Sequence, residues 1–301
     1  MIRTFQHIER PPGSKTDLVG VAQHASSILA AKTEGRYHWQ GVGSLSFKCV
    51  LRGEARYKIK DRYLLAQQGN FLILNQRQPY EVFVESKFAT ETFCVFFGEP
   101  LVADVCFNLV HSHDELLTCE NSTSGLLFFE RTQPLSPYLG FSLRGLRLLM
   151  QSDYDEERTK ELLHSFLFRL AADEYKTSAA NTLHQVRKST REELFKRVCI
   201  AKDYAHAMYR EAVTLEKLAR VACLSPNHLL RLFRQMFGAT PIQYLKRVRM
   251  EKARQLLFET RLPVQEVCSE VGYSSVGTFS NHFKALTGFA PTHFRFRKKM
   301  G

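Results

Sequence analysis

Between residues 36 and 97 the apolar side chains come in short runs that alternate in part with polar ones. Ser44–Leu51 (SLSFKCVL), Ala55–Lys60 (ARYKIK), Phe71–Leu74 (FLIL), Tyr80–Val84 (YEVFV) and Thr92–Phe97 (TFCVFF) are rich in β-branched and aromatic residues. Such runs fit a pleated, half-buried surface, so each predicts a strand. Arg52-Gly53-Glu54 and Gln68-Gly69-Asn70 supply glycines for tight reversals between them. The spacing predicts an antiparallel barrel or sandwich, placed within residues 1–130.

After about residue 135 the period changes to 3.6. Leu139, Leu143, Leu146 and Leu149-Met150 mark one helix, and Leu162, Leu163, Phe166, Leu167 and Leu170 mark another beyond the polar stretch QSDYDEERTK. Two readings of the leucine face stand side by side: an intrachain core, or pairing with a second copy of the chain. Residues 131–180 are therefore expected to be a helical dimerisation or connector region. The small, polar segment Thr177–Ser189 (TSAANTLHQVRKS) reads as containing a linker, set at 181–190.

The last third contains an internal repeat. One copy runs from Thr214 to Pro241 and the other from Pro263 to Pro291. Apolar positions coincide at Leu215/Val264, Leu218/Val267 and Ala222/Val271, then at Leu229/Phe279 and Phe233/Phe283 after a one-residue offset in the turn. In each copy a short helix must cross a second at a steep angle, which needs small residues at the crossing; Ala219, Ala222, Cys268 and Gly272 are suitably small. Ser225-Pro226 and Ser274-Ser275 predict the start of each second helix, while Gly238 and Gly288, followed by Pro241 and Pro291, predict its end. Two helix-turn-helix units follow. Between them Pro241–Glu259 reads as an amphipathic helix, with Ile242, Leu245, Val248, Ala253, Leu256 and Leu257 inward and Lys246, Arg247, Arg249, Lys252 and Arg254 outward.

Charge follows the same division. Of 42 Lys and Arg and 30 Asp and Glu, residues 191–301 hold 20 and 9, a net of +11, whereas residues 1–190 are nearly balanced at 22 and 21. A cationic excess on grooved helical motifs points to nucleic acid, although a basic face can also serve solubility alone. The seven cysteines are scattered without C-x-x-C spacing, so neither a disulfide framework nor a zinc cluster is expected. There is no apolar run of about 18 residues, and MIRTFQHIERPPG has neither a basic n-region nor an apolar h-region. The expectation is a cytoplasmic protein without a membrane partner.

The segments LSPNHLLRLFRQMFGATPIQYLKRVRMEKARQLL and VGYSSVGTFSNHFKALTGFAPTHFR resemble the DNA-binding domain of the AraC/XylS family of transcription regulators, over roughly residues 191–297. The β-region followed by two helices is similar in architecture to that family's cupin-like sensing domain and dimerisation region. The resemblance implies a multi-domain α+β chain: an antiparallel β-barrel (cupin or jelly-roll-like), a helical dimerisation region, and an all-α carboxyl-terminal domain with two helix-turn-helix units at 191–301. It implies double-stranded DNA as partner, a homodimer, RNA polymerase if the protein is an activator, and a small-molecule effector as an option.

The second helix of such a unit enters the major groove, where base edges are distinguishable. In the first unit the resemblance puts base contacts at Asn227, His228 and Arg231, with Leu230 beside them able to touch a thymine methyl; Arg234 and Gln235 lie further along, toward phosphate. Arg231 is the leading candidate. In the second unit Val276, Gly277, Thr278, Ser280 and Asn281 offer little for base-specific hydrogen bonding, so Thr278, Ser280, Asn281, His282 and Lys284 are expected to contact mainly backbone. Arg295, Arg297, Lys298 and Lys299 read as a basic tail adding non-specific attraction.

Tyr37, His38, Trp39 and Tyr80 could line an effector pocket in the barrel, although each is also an ordinary barrel aromatic or strand-end residue. His38 alone does not make a metal site, and His111-Ser112-His113 lies after the strands in a polar stretch, so neither metal nor other cofactor is expected. The competing class is an enzyme, a cupin-type metalloenzyme or a DNA-repair protein, fused to a DNA-binding domain. Against it stand the missing metal ligands, the absence of a placed Ser/His/Asp or Cys/His set, and the lack of a phosphate-binding glycine loop.

Overall fold

The computed structural model describes residues 5–10, 25–110, 126–150, 156–179 and 185–297. His111, His113, Lys298 and Lys299 therefore lie outside the described residues. Two compact units divide the chain, Met1–Glu193 and Leu194–Gly301.

The first unit is built on a curled, largely antiparallel sheet. Its strands are β1 (Phe5–Arg10), β2 (Ser27–Val42), β3 (Ser46–Arg52), β4 (Glu54–Ile59), β5 (Arg62–Gln67), β6 (Asn70–Leu74), β7 (Pro79–Phe96) and β8 (Gln133–Pro134), in the order β1-β2-β7-β3-β6-β8. The long strand β7 organises it. One edge of β7 pairs with β2 from Ser27↔Phe96 to Val42↔Pro79, and the other pairs first with β4 and then with β3. A register shift between Thr33 and Gly35 breaks the β2–β7 ladder into two stretches, as extra residues in one strand do when a sheet must bend.

Several elements differ from the sequence expectation. Two short runs, Tyr80–Val84 and Thr92–Phe96, are parts of one strand; the intervening Glu85–Glu91 is mostly polar, which breaks the apolar pattern although the strand continues through it. Strand β5 follows β4 by a two-residue turn in which Lys60 has φ 53, and its sequence RYLLAQ lacks the alternation that announces a strand. The amino-terminal half of β2 mixes Ala, Lys and Thr, and was likewise silent. Strand β1 pairs parallel to β2, a departure from the all-antiparallel expectation. A helix, α1 (Glu99–Val110), stands in the segment read as all-β.

The sheet's two faces bury different cores, because successive side chains on a strand leave opposite sides. On one face Phe47, Cys49, Phe93, Val95 and Phe97 pack with α1, α2 (Pro137–Leu149) and α3 (Glu156–Ala179). Phe166 of α3 meets Phe47 edge-on, ring centroids 5.0 Å apart. Leu139, Leu143, Leu146 and Leu149 are buried, as are Leu163, Phe166, Leu167 and Leu170, so the leucine face belongs to the intrachain core. On the other face Tyr37, Val50, Tyr57, Leu72, Leu74, Tyr80 and Val84 form a second cluster.

The second unit is helical: α4 (Gln185–Ala207), α5 (Leu215–Val221), α6 (Pro226–Phe237), α7 (Pro241–Glu259), α8 (Val264–Glu270), α9 (Val276–Thr287) and α10 (Pro291–Arg297). Helix α4 begins inside the stretch read as a linker, 181–190, of which 181–184 lie outside the described residues. The punctuation read from the repeat is in place. Ser225 Oγ accepts from the His228 amide and Ser275 Oγ from the Thr278 amide, each helix then ending at a left-handed glycine, Gly238 or Gly288. Leu218, Ala222, Leu229 and Phe233 are fully buried in the first pair, and Val267, Val271, Phe279 and Phe283 in the second.

Candidate nucleic-acid interface

Helix α6 buries Leu229 and Phe233, one turn apart, and a helix with 3.6 residues per turn must then present the opposite side to solvent. Asn227, Arg231, Arg234 and Gln235 occupy that side and are exposed. Their spacing of i, i+4, i+7 and i+8 puts two guanidinium groups and two amides on one stripe. His228 and Leu230 flank it, half-buried. Helix α9 repeats the geometry fifty residues later, burying Phe279 and Phe283. It exposes Thr278, Asn281 and Lys284, while Ser280 and His282 are half-buried at the margins. The second stripe therefore carries one charge where the first carries two.

The turns explain the one-residue offset in the repeat. Cys223 (φ 51) and Gly272 (φ 80) take the same left-handed position, and the next amides, of Leu224 and Tyr273, donate to Ala219 and Cys268 carbonyls at 2.9 and 3.0 Å. Tyr273 is thus the counterpart of Leu224, and Ser274 is the extra residue. Gly272 is required for more than its φ. A Cβ there would sit 2.6 Å from the Arg210 carbonyl oxygen, well inside non-bonded contact distance.

A helix-turn-helix domain model matches residues 218–297. The arabinose operon regulatory protein of Escherichia coli is 37% identical over 81 residues, 27% of this chain and 28% of that protein. The bifunctional transcriptional activator/DNA repair enzyme AdaA of Bacillus subtilis is 33% identical over 98 residues, 33% of this chain and 46% of AdaA. The thermoregulatory protein LcrF of Yersinia pestis is 24% identical over 288 residues, 94% of each chain. Over its last third the chain is similar to these regulators of transcription. It spans less than half the length of the arabinose regulator and of AdaA that it matches.

Two assignments made from the sequence need correction. Arg249, read as an outward charge of α7, turns inward: its Nε donates to the Tyr209 carbonyl and its Nη2 to the Glu211 carbonyl, both at 2.7 Å. Burial lowers its pKa, and its guanidinium lies 5.5 Å from the centre of the Tyr273 ring. Arg295, read as part of a loose tail, lies on α10 and donates to the Leu262 carbonyl. His282 Nδ1 lies 3.0 Å from the Tyr273 hydroxyl. Tyr273 was missed altogether. The signal for it was its place opposite Leu224 in the repeat, a polar-tipped ring where the first copy has an aliphatic chain.

On the sheet, Tyr37, Trp39 and Tyr80 come together, Trp39 and Tyr80 with ring centroids 4.9 Å apart. His38 does not join them. The strand alternation sends it to the other side, where it stacks on Phe83 at 4.5 Å and its Nε2 lies 3.1 Å from Glu81 Oε2. Lys58 Nζ donates to Glu81 Oε1 at 2.8 Å, and this bond holds the Glu81 carboxyl below its ordinary pKa. Sequence reading missed Lys48, which is 2% exposed with Nζ 3.7 Å from the Phe96 ring centre and 5.5 Å from that of Tyr80. Two buried donors share this face without a hydrogen-bond partner, Ser46 Oγ and Trp39 Nε1. Among the described residues there is no group of three or more His, Cys, Asp and Glu that could hold a metal ion, and no helix long and apolar enough to cross a membrane.

Proposed function

We propose that the chain is a sequence-specific regulator of transcription that grips duplex DNA with two helix-turn-helix units, α5–α6 and α8–α9. The observation that carries this reading is the stripe of Asn227, Arg231, Arg234 and Gln235 on the capped, solvent-facing side of α6. Arg231, in the middle, is placed to donate two bonds to a guanine edge, with Asn227 and His228 reading neighbours and Leu230 against a thymine methyl. Arg234 and Gln235 meet phosphate. Helix α9 adds Thr278, Ser280, Asn281, His282 and Lys284, chiefly as backbone contacts that set register.

In this reading residues 1–130 form a sensing domain of cupin type, 131–180 a helical dimerisation region, 181–190 a connector and 191–301 the DNA-binding domain. A homodimer is supported by Phe141 and Leu148, which α2 leaves 76% and 60% exposed two turns apart. A small-molecule effector is supported by the inner face around Tyr37, Trp39 and Tyr80, where Lys48, Ser46 Oγ and Trp39 Nε1 bring polar groups among aromatic rings. Activation through RNA polymerase, in the cytoplasm, completes the proposal. The enzyme alternative draws on the AdaA match over a third of the chain, whereas the match over nearly all of it is to a protein named as a regulator.

The test is selection of duplexes from a random pool by the full chain, followed by binding at several salt concentrations. Specific regulators yield an enriched motif and an affinity that falls steeply with salt. Failure to enrich any motif, with salt-insensitive retention, would remove the proposal.

A further inference from the structure

The two helix pairs align across their turns, and at one place in the packed layer beside the turn the second puts a polar pair where the first has two leucines. Leu224 and Leu232 of the first pair are replaced in the second by Tyr273 and His282, joined by a 3.0 Å hydrogen bond between the hydroxyl and Nδ1. The rings meet near edge-on, 5.7 Å apart at 68°. Tyr273 is itself fixed on other sides, by Phe279 at 5.7 Å and by the Arg249 guanidinium at 5.5 Å from its ring centre. A polar pair in a position where its counterpart is aliphatic costs desolvation unless it is satisfied or used.

The direction of the bond decides what His282 offers. A neutral imidazole has one donor and one acceptor nitrogen, and the group bonded to one of them settles which is which. Burial raises the Tyr273 pKa, so the phenol keeps its proton. The guanidinium beside it makes the phenol a stronger donor. The favoured arrangement has Tyr273 O–H donating to Nδ1, with the ring proton on Nε2.

We infer that Tyr273 is a positioning residue that holds His282 with its Nε2–H directed outward, so that the margin of α9 presents one oriented donor to a DNA phosphate. This rests on the DNA-binding reading and adds to it the chemistry of the weaker helix. The second unit, poor in long polar side chains, contributes through one oriented donor rather than through flexible charge. Such a donor discriminates by geometry, whereas Lys284 provides counterion release.

The experiment uses the full chain and the duplex selected by it from a random pool. Tyr273→Phe keeps the ring packing and removes only the hydroxyl. It is expected to weaken binding about fivefold, as is His282→Ala, and the two together to weaken it little further, the mark of coupled groups. His282→Gln, whose amide nitrogen occupies the place of Nε2, should retain most of the affinity, and His282→Asn should not. Side-chain 15N spectra should show His282 as the Nε2–H tautomer in the unaltered chain and as a mixture in Tyr273→Phe, with both proteins melting within a few degrees of one another. If the chain binds the duplex with steep salt dependence yet the spectrum and affinity of Tyr273→Phe are unchanged, the inference is overturned while the DNA-binding reading stands. If no duplex is selected, the reading itself fails.

Discussion

Arg249 of α7 donates from Nε to the carbonyl oxygen of Tyr209 at 2.7 Å. The second bond from the same guanidinium, to Glu211, closes a fork on the end of the segment that follows α4. That segment is held from the other side by Gly272, whose missing Cβ leaves room for the Arg210 carbonyl. Helix α7 and the turn of the second helix pair thus meet the same piece of backbone. Replacing Arg249 by Ala leaves two carbonyls without their charged donor, and stability should fall by about 1.5–3 kcal/mol. Denaturant unfolding of the full chain, followed by a probe in the second unit, measures it.

Gly272 and Cys223 make an informative pair because they share a backbone conformation but not a setting. Gly272→Ala drives a methyl into the Arg210 carbonyl and should cost well over about 1 kcal/mol, with loss of DNA binding. Cys223→Gly relieves a left-handed non-glycine residue and should be neutral or stabilising by up to about 1 kcal/mol. Thermal melts that moved in the same direction for both would contradict the account of the turn.

Arg231 and Arg234 lie on one exposed stripe but are assigned different tasks. Arg231→Ala should cost about 1–3 kcal/mol on the selected duplex and relax base preference at one position. Arg234→Ala should weaken all duplexes nearly alike and flatten the salt dependence by about one counterion. Competition binding with single-base variants of the selected site separates the two; an unchanged preference after Arg231→Ala would remove it from the reading role.

Glu81 bridges Lys58 and His38 on the sheet, and the Lys58 bond keeps its carboxyl below the ordinary 4.5. A folded pKa lower than the unfolded one stabilises the fold above the unfolded value, and that contribution is lost as pH falls through the folded value. The first unit should therefore weaken on acidification below about pH 4.5, and Glu81→Gln should flatten that slope. Acid titration of both proteins by circular dichroism checks the sign.

The carboxyl-terminal half was legible because its signals are local. Serine caps, terminal glycines and the prolines after them mark helix ends within a few residues, and duplication states each signal twice. The strands were harder. Whether Glu85–Glu91 continues β7 depends on Lys32, Thr33, Gly35 and Arg36 across the ladder, which no window of neighbouring residues contains. The same limit hid Arg249 and Tyr273. On a helical wheel Arg249 is one more cation of α7, and its inward turn is set by carbonyls forty and thirty-eight residues away. His38 failed differently, since reading Tyr37, His38 and Trp39 as one patch ignored the alternation that the strand imposes.

Strand β7 is bordered by β2 along its whole length and by β4 and β3 in succession on its far edge. Any insertion or deletion of one residue between Thr92 and Phe96 would exchange Phe93 and Val95 for their neighbours Cys94 and Phe96, turning helix-facing groups inside out in two ladders at once. Descendants of this chain are free to vary the chemistry along β7 but not its count, and length polymorphism in related genes should stop abruptly at both borders of that stretch.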